Sequence, residues 1–155
     1  MVGDSNVKVP MAFETKLPPS LDKPAAAMTL SLQMIGSLIY LTASLPEIMF
    51  YVCYCVRFQV NPPEPHMSAV KNIFRYLKRI SSLVIWYPSS SWFFVQAFSD
   101  ADLGGCGLDG KSTMGGCQFF YGKLVSWQSK KQTCISLSTV EAEYIAAASC
   151  TSQVI

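Results

Sequence analysis

The stretch Phe98–Thr113, FSDADLGGCGLDGKST, decides how the second half of the chain folds. Its first part places Asp100 and Asp102 at the end of an aromatic run, which is an arrangement that suits a metal site. Its second part, Gly105–Ser112, reads GCGLDGKS and satisfies the phosphate-loop pattern G-x-x-x-x-G-K-[ST]. The two parts therefore predict different ligands.

The residues after Ser112 distinguish the two interpretations. A phosphate loop must open directly into a helix, because the helix N-terminus supplies the amide groups that hold phosphate. This chain continues with TMGGCQFF, in which two glycines followed by aromatic residues favour a strand. We therefore predict a turn between two strands in this stretch, and no nucleotide-binding site.

Around this stretch the sequence alternates with a period of two, as strands do. The three predicted strands are Trp92–Ser99, Gly116–Tyr121 and Leu124–Ser129. A tight turn at Gly122-Lys123 is predicted to join the second and third strands. Ser138-Thr-Val-Glu141 then matches the capping box and predicts a helix at Thr139–Cys150. This half of the chain is thus predicted to contain three antiparallel strands and a helix.

Asp100 and Glu143 are the carboxylates best placed for a metal site. Asp100 ends a predicted strand, and Glu143 lies inside a helix that must pack on the sheet. Glu141 is two positions from Glu143, hence about 200° away around the helix, and is assigned to reciprocal capping instead. For Glu143, an exposed glutamate that only aids solubility is the alternative.

Composition limits the remaining possibilities. Half of the 155 residues are hydrophobic and 14% are charged, so some apolar surface is expected to need a partner or more chain. The net charge of +2 is too small to indicate nucleic-acid binding by itself. Six cysteines without a C-x-x-C pair, and the lone His66, leave little from which to build a zinc site. Reduced thiols and an intracellular location are the expectation.

The first half of the chain is predicted to be helical after a leader. Residues 1–24 contain four prolines without periodicity and predict an extended or disordered leader. Residues 25–80 form the predicted helical segment, with one helix between Pro24 and Pro46 and a second at Ile48–Phe58. Because the first of these helices has no charged residue, a small membrane-anchored protein is one alternative.

A third predicted helix in this segment carries a row of cations. Its apolar residues recur at helical spacing and define one buried arc: Met67, Val70, Ile73, Phe74, Leu77 and Ile80. Four basic residues fall on a separate stripe: Lys71, Arg75, Lys78 and Arg79. This basic stripe predicts contacts with a nucleic-acid backbone, where each neutralised phosphate releases counterions, and a solvated helix face is the alternative.

Five collinear blocks of the sequence resemble the Pol polyprotein of copia-type retrotransposons, and they cover the chain from about Met28 to Cys150. The blocks are MIGSLIYLTASLPEIMF, HMSAVKNIFRYLKR, FSDADLGGC, GKSTMGGCQFFYGKLVSWQSKKQ and SLSTVEAEYIAAASC. The resemblance implies that residues 25–80 correspond to the C-terminal side of a reverse transcriptase. It implies equally that residues 91–155 correspond to a partial ribonuclease H-like domain.

The resemblance also implies a chemistry. The ribonuclease H of that family binds two magnesium ions with a cluster of acidic residues and hydrolyses RNA in RNA–DNA hybrids. By motif, its first aspartate falls on Asp100 and its glutamate on Glu143, as catalytic and metal-binding residues. Lys130, Lys131 and Gln132 are then expected to contact backbone phosphates, with a solvated loop as the alternative.

Several positions depart from that family. Leu103 stands where an aromatic residue is usual, Gly110 where a basic residue is usual, and Leu45-Pro46-Glu47 where the family has R-P-D. The next catalytic aspartate of the family lies in a later strand, whereas no Asp or Glu follows Glu143 in this sequence. The chain is therefore expected to be an inactive fragment whose partners are nucleic acid and the remainder of a Pol polyprotein. A non-catalytic nucleic-acid-binding remnant is the alternative.

Overall fold

The computed structural model describes residues 8–11, 25–59, 62, 64–80, 82, 85–87, 89 and 94–155. The chain divides into two compact units, Met1–Val84 and Ile85–Ile155, which are described separately below. Together the described residues contain four helices and one three-stranded antiparallel sheet. The predicted α+β class, with helices before strands, is confirmed.

The first unit consists of three helices: α1 (Ala25–Thr42), α2 (Pro46–Val56) and α3 (Glu64–Arg79). Pro46 opens α2 and Pro65 lies in the first turn of α3, where a missing N–H costs no hydrogen bond. Ile35 and Leu38 of α1 meet Ile48 of α2 in the hydrophobic core, each exposed by 2% or less. Burial of such a side chain contributes about 1.5–3 kcal/mol. Of the predicted leader, residues 8–11 alone are described, and Met11 belongs to this core.

The predicted arc of α3 is confirmed. Met67, Val70 and Ile73 are buried, and Phe74 and Leu77 pack partly buried against the same core. Across the described residues, no helix combines the length and the apolar character needed to cross a membrane.

The second unit consists of β1 (Val95–Asp102), β2 (Thr113–Phe120), β3 (Lys123–Lys131) and α4 (Thr139–Val154). The strands lie in the order β1-β2-β3. Asp100 pairs with Gly115, and Gly115 with Ser129. The strand bounds differ from those predicted, and Trp92 and Phe93 of the first predicted strand lie outside the described residues.

The hairpin turn is one residue earlier than the sequence predicts, at Tyr121-Gly122 rather than Gly122-Lys123. Both turn residues have positive φ, 56° at Tyr121 and 71° at Gly122. A two-residue hairpin loop of type I′ requires this, because its twist matches that of the strands. Glycine accepts a positive φ without strain, so Gly122 occupies the second position of the turn. Tyr121 then occupies the first position.

Helix α4 packs on one face of the sheet. Its buried residues are Ala142, Ala146 and Cys150. A Cβ on Gly116 would lie 3.6 Å from the Cys150 sulfur, so a small residue at this point of β2 lets the helix approach closely. The Gln118 amide donates to the Cys150 sulfur at 3.4 Å, and the Gln128 amide donates to the Ser149 hydroxyl at 3.3 Å. Residues 116, 118 and 128 therefore define the helix-covered face.

The predicted capping box opens α4. The Ser138 hydroxyl accepts a hydrogen bond from the Glu141 amide at 3.2 Å. The reciprocal bond reaches one residue further back than the pattern predicts, since the Glu141 carboxylate accepts from the Leu137 amide at 2.7 Å. Glu141 is thus occupied in stabilising the helix start, as expected.

Candidate active site

Glu143 lies on α4 against the outer edge of β1. Its Oε1 accepts a hydrogen bond from the backbone N–H of Ala101 at 3.2 Å. Within the described sheet β1 pairs with β2 alone, so this amide points to an edge that has no strand. Ala101 directly follows Asp100, and ordinary bond lengths then place the Cα atoms of Asp100 and Glu143 within about 11 Å of each other. The two candidate residues are therefore neighbours across the junction of strand and helix.

The side chain of Asp100 points to the face of the sheet opposite α4. Successive side chains of a strand alternate between faces, and Ser99 lines a groove together with residues of α4. Ser99 and Ala101 are accordingly half-buried, whereas Asp100 and Asp102 are exposed. The Glu143 carboxylate thus lies at the edge of β1, and the Asp100 carboxylate projects from the open face of the same strand.

A groove separates α4 from the edge of β1. Its accessible volume is about 370 Å³, and its lining residues are Ser99, Thr139, Val140, Glu143, Tyr144 and Ala147. Glu143 is the one ionisable carboxylate of this lining, beside the apolar walls of Val140 and Ala147. The groove leaves room for a ligand between the carboxylate and the exposed ring of Tyr144.

The donor set suits a hard cation in kind but is small in number. Carboxylate oxygens are the ligands that Mg²⁺ prefers, and Asp100 with Glu143 supplies two such groups. Within the ranges that the structure describes, no three His, Cys, Asp or Glu side chains come together as a metal-binding group. By themselves, these two carboxylates are too few for a complete magnesium site.

The loop between β1 and β2 forms the predicted turn. The Cys106 amide donates to the Lys111 carbonyl and the Gly110 amide to the Cys106 carbonyl, both at 2.9 Å. Two amides that a phosphate would need are therefore already engaged within the loop. Ser112 is buried, and the residue after it starts β2 rather than a helix. The local geometry is that of a strand-to-strand turn, in which the helix dipole of a phosphate loop has no counterpart.

Lys131, a predicted phosphate contact, forms an ion pair within the molecule. Its ammonium group lies 2.8 Å from the Asp109 carboxylate. The hydrogen bond from Lys131, and then one from the Cys106 thiol, lower the pKa of Asp109 to about 2. Lys130 is exposed and is the other predicted contact at the end of β3.

The burial of Gln132 contradicts both interpretations made from the sequence, which were a phosphate contact and a solvated loop. Gln132 is 1% exposed. Its amide nitrogen donates to the Ala142 carbonyl at 2.9 Å, and its amide oxygen accepts from the Ser136 hydroxyl at 2.9 Å. The Gln132 side chain ties the end of β3 to the first turns of α4. It thereby positions the helix residue that precedes Glu143.

The basic stripe of α3 lies on the first unit. Arg75, Lys78 and Arg79 are exposed, and Lys71 is half-buried. Arg75 donates a hydrogen bond to the Asn72 side chain at 2.7 Å, which holds its guanidinium along the helix surface. The stripe faces away from the buried Ile73 of the same helix.

Comparison with known proteins gives several relatives. No protein-family model matches the chain, and no solved structure matches it. The retrovirus-related Pol polyprotein from transposon TNT 1-94 of Nicotiana tabacum is 40% identical over 114 residues, which cover 73% of this chain and 8% of the relative. That from transposon RE1 of Arabidopsis thaliana is 35% identical over 120 residues, or 77% of this chain and 8% of the relative.

A shorter relative is matched over most of its length. The secreted RxLR effector protein 161 of Plasmopara viticola is 30% identical over 125 residues, which cover 80% of this chain and 88% of the relative. The chain spans less than a tenth of the length of the two polyproteins, at 8% of each.

Proposed function

Because the chain is similar over about three quarters of its length to retrovirus-related Pol polyproteins of plant transposons, we propose that it is a fragment of such a polyprotein and that its second unit is the leading part of a ribonuclease H-type site. The proposed reaction is the hydrolysis of RNA strands in RNA–DNA hybrids. The observation that carries the proposal is the Ala101–Glu143 hydrogen bond of 3.2 Å, which holds the helix carboxylate against the β1 backbone at the residue after Asp100.

In this proposal Asp100 and Glu143 bind magnesium. When bound, two such ions supply an activated water and stabilise the leaving oxygen of a phosphodiester. The protein's contribution to the site is to hold one carboxylate on a strand and one on a helix near each other. Gln132 and the Ser138 cap hold that helix in place.

The further carboxylates of the site are proposed to come from other parts of a longer polyprotein. Two metal ions repel each other, and this repulsion must be offset by surrounding negative charge. Two carboxylates are too few for that purpose. We therefore expect the 155-residue chain alone to show no magnesium-dependent cleavage.

The first unit is proposed to be the C-terminal side of a reverse transcriptase. Its contribution would be to hold the nucleic acid through the basic stripe of α3, with Arg75, Lys78 and Arg79 exposed toward phosphates. At the end of β3, Lys130 would add a contact, and Lys131 would do so after exchanging Asp109 for a phosphate.

The test is cleavage by an extended chain. The chain is joined to the next roughly 100 residues of a related Pol polyprotein, enough for a domain of ordinary size, and incubated with a labelled RNA–DNA hybrid and Mg²⁺. We expect the extension to produce cleavage, and Asp100→Asn or Glu143→Gln to abolish it. Asp102→Asn is the matched control, since it removes a neighbouring exposed carboxylate of the same strand.

Different outcomes address different parts of the proposal. Full activity of the extended chain with either Asp100→Asn or Glu143→Gln would refute the assigned site. Cleavage by the short chain, lost on Asp100→Asn, would refute only the need for further carboxylates. An extended chain that folds, as judged by circular dichroism, and binds hybrid without cleaving it would favour the second candidate, a non-catalytic nucleic-acid-binding remnant. That candidate is favoured by the two-carboxylate donor set.

A further inference from the structure

Aromatic side chains gather where the β2–β3 hairpin turns, at the end of the second unit that is remote from Asp100. They are Tyr87, Phe94, Phe120 and Tyr121; together with Trp86, the chain neighbour of Tyr87, this group is termed the aromatic end. The Tyr87 hydroxyl donates to the Leu124 carbonyl at 2.7 Å. The Tyr121 amide donates to the Phe94 carbonyl at 3.0 Å, and the rings of Phe120 and Tyr121 lie 4.3 Å apart, edge to face. The hydroxyl bond holds the Tyr87 ring in place, and the amide bond joins the backbone of the hairpin turn to that of Phe94.

The aromatic end is open to solvent. Trp86 is 78% exposed, Tyr87 52% and Phe94 43%. A single exposed ring is ordinary in a protein surface, but neighbouring exposed rings mark a surface that receives a ligand. The Tyr87 ring, held through its hydroxyl, loses little conformational freedom when such a ligand stacks on it.

The charge at the aromatic end is positive. The Lys123 ammonium lies over the Tyr121 ring, 5.7 Å from its centroid. All the acidic residues of positions 85–155 lie elsewhere, toward the other end of the sheet: Asp100, Asp102, Asp109, Glu141 and Glu143. The register shows this polarity, because Val95 pairs with Phe120 at the aromatic end and Asp102 pairs with Thr113 at the opposite end. Among the side chains of positions 85–155, a polyanion therefore meets a cation there and no carboxylate.

We propose that the aromatic end binds single-stranded nucleic acid by stacking its bases on Trp86 and Tyr87, with Lys123 beside a phosphate. Stacking on aromatic rings tolerates any base sequence and requires bases whose faces are open, as they are in single strands. A duplex hides those faces, so the site prefers an unpaired strand over a hybrid or double-stranded DNA.

Binding at the aromatic end is a separate activity from strand cleavage and does not depend on it. One link to the proposed function follows from distance: five strand residues separate Val95 from Asp100, which corresponds to about 17 Å. That span equals roughly five stacked nucleotides at 3.4 Å each. An unpaired overhang held at the aromatic end would place the neighbouring paired region near Asp100, and this link alone rests on the proposed function.

The test is binding of a fluorescein-labelled 12-nucleotide oligodeoxythymidine to the complete 155-residue chain in the absence of divalent metal, followed by fluorescence anisotropy. We expect Trp86→Ala to weaken binding by roughly 5- to 150-fold, the range found when one base loses its stacking partner. Trp86→Phe should restore most of the affinity, because phenylalanine keeps a ring. Tyr40→Ala is the matched control, since Tyr40 is 81% exposed on α1 in the other unit.

A second oligomer of equal length, made of abasic residues, separates stacking from charge. Trp86→Ala should leave its binding unchanged, whereas Lys123→Ala should weaken both oligomers. Equal binding of oligodeoxythymidine by wild type and Trp86→Ala would overturn the proposal, as would an equal loss for Tyr40→Ala. Concentration-dependent dimerisation that Trp86→Ala abolishes, without oligomer binding, would identify a second copy of the chain as the occupant and would also overturn it.

Discussion

Replacement of Gln132 by leucine should destabilise the second unit and release the start of α4. Leucine is similar in size but offers neither a donor nor an acceptor. The substitution removes the bond to the Ala142 carbonyl and the bond from the Ser136 hydroxyl, each 2.9 Å long. The backbone bond from the Gln132 amide to the Ser112 carbonyl, also 2.9 Å, is retained.

The expected cost follows from these contacts. Two buried hydrogen bonds contribute about 0.5–1.5 kcal/mol each, and the Ser136 hydroxyl, buried without an acceptor, adds about 1–3 kcal/mol. Apolar burial of leucine offsets part of this loss, so the free energy of unfolding should fall by about 2–4 kcal/mol. In a unit of this size the melting temperature would then fall by roughly 10–30 °C.

Tryptophan fluorescence during urea unfolding measures this loss selectively. All three tryptophans of the chain, Trp86, Trp92 and Trp127, belong by sequence to positions 85–155, so their emission reports on the second unit. The double variant Gln132→Leu/Ser136→Ala is the informative control. It removes the stranded hydroxyl and should recover about 1–3 kcal/mol relative to Gln132→Leu alone.

The reasoning would be refuted by either of two results. A loss below about 0.5 kcal/mol, typical of surface substitutions, would show that the Gln132 side chain is not a buried tie. Failure of Ser136→Ala to recover stability in the double variant would show that the Ser136 hydroxyl is not left unsatisfied.

Three other measurements test the remaining features. The hydrogen bond from Lys131 lowers the pKa of Asp109 to about 2, so the stability that this pair contributes should be present above about pH 4 and lost as the pH falls toward 2. Asp109→Asn should therefore remove much of the pH dependence of the urea midpoint between about pH 4 and pH 2. An unchanged pH dependence would contradict the ion pair. Cys134 is the exposed thiol of the described residues, so an alkylating reagent should label it first and Cys134→Ser should remove the fast phase. If the basic stripe binds nucleic acid, Lys71→Ala with Lys78→Ala should reduce the slope of log K against log salt by roughly two, and an identical slope would identify a solvated face.

Much of the fold follows from the sequence because its signals are local. The helical spacing of Met67, Val70 and Ile73 requires no knowledge of the rest of the chain, and all three are buried as predicted. The capping pattern at Ser138 likewise involves neighbours within a single turn. The strand after Ser112 followed from the glycines and aromatic residues next to it.

What the sequence did not predict depends on contacts between distant positions. In the sequence, Gln132 has the character of a polar loop residue. Its burial depends on hydrogen bonds with Ser136 and Ala142, which lie later in the chain. Asp100 and Glu143 were identified by motif, but the side of β1 from which each approaches depends on strand alternation and on where α4 crosses the edge. The turn at Tyr121 was missed because a positive φ is unusual for tyrosine, so its sequence gives no signal of it.

The Ala101–Glu143 hydrogen bond also occupies a backbone N–H on the open edge of β1. A strand edge with available N–H and C=O groups recruits strands from other molecules, and a charge placed on that edge repels them. We therefore expect Glu143 to oppose sheet-to-sheet aggregation, independently of the proposed cleavage site. In the isolated chain, Glu143→Ala should first cause aggregation, measured as turbidity. The edge of β1, beside the apolar side chain of Val140, would then be available to pair with strands of other molecules. Solubility and the proposed cleavage would then place opposing demands on one carboxylate.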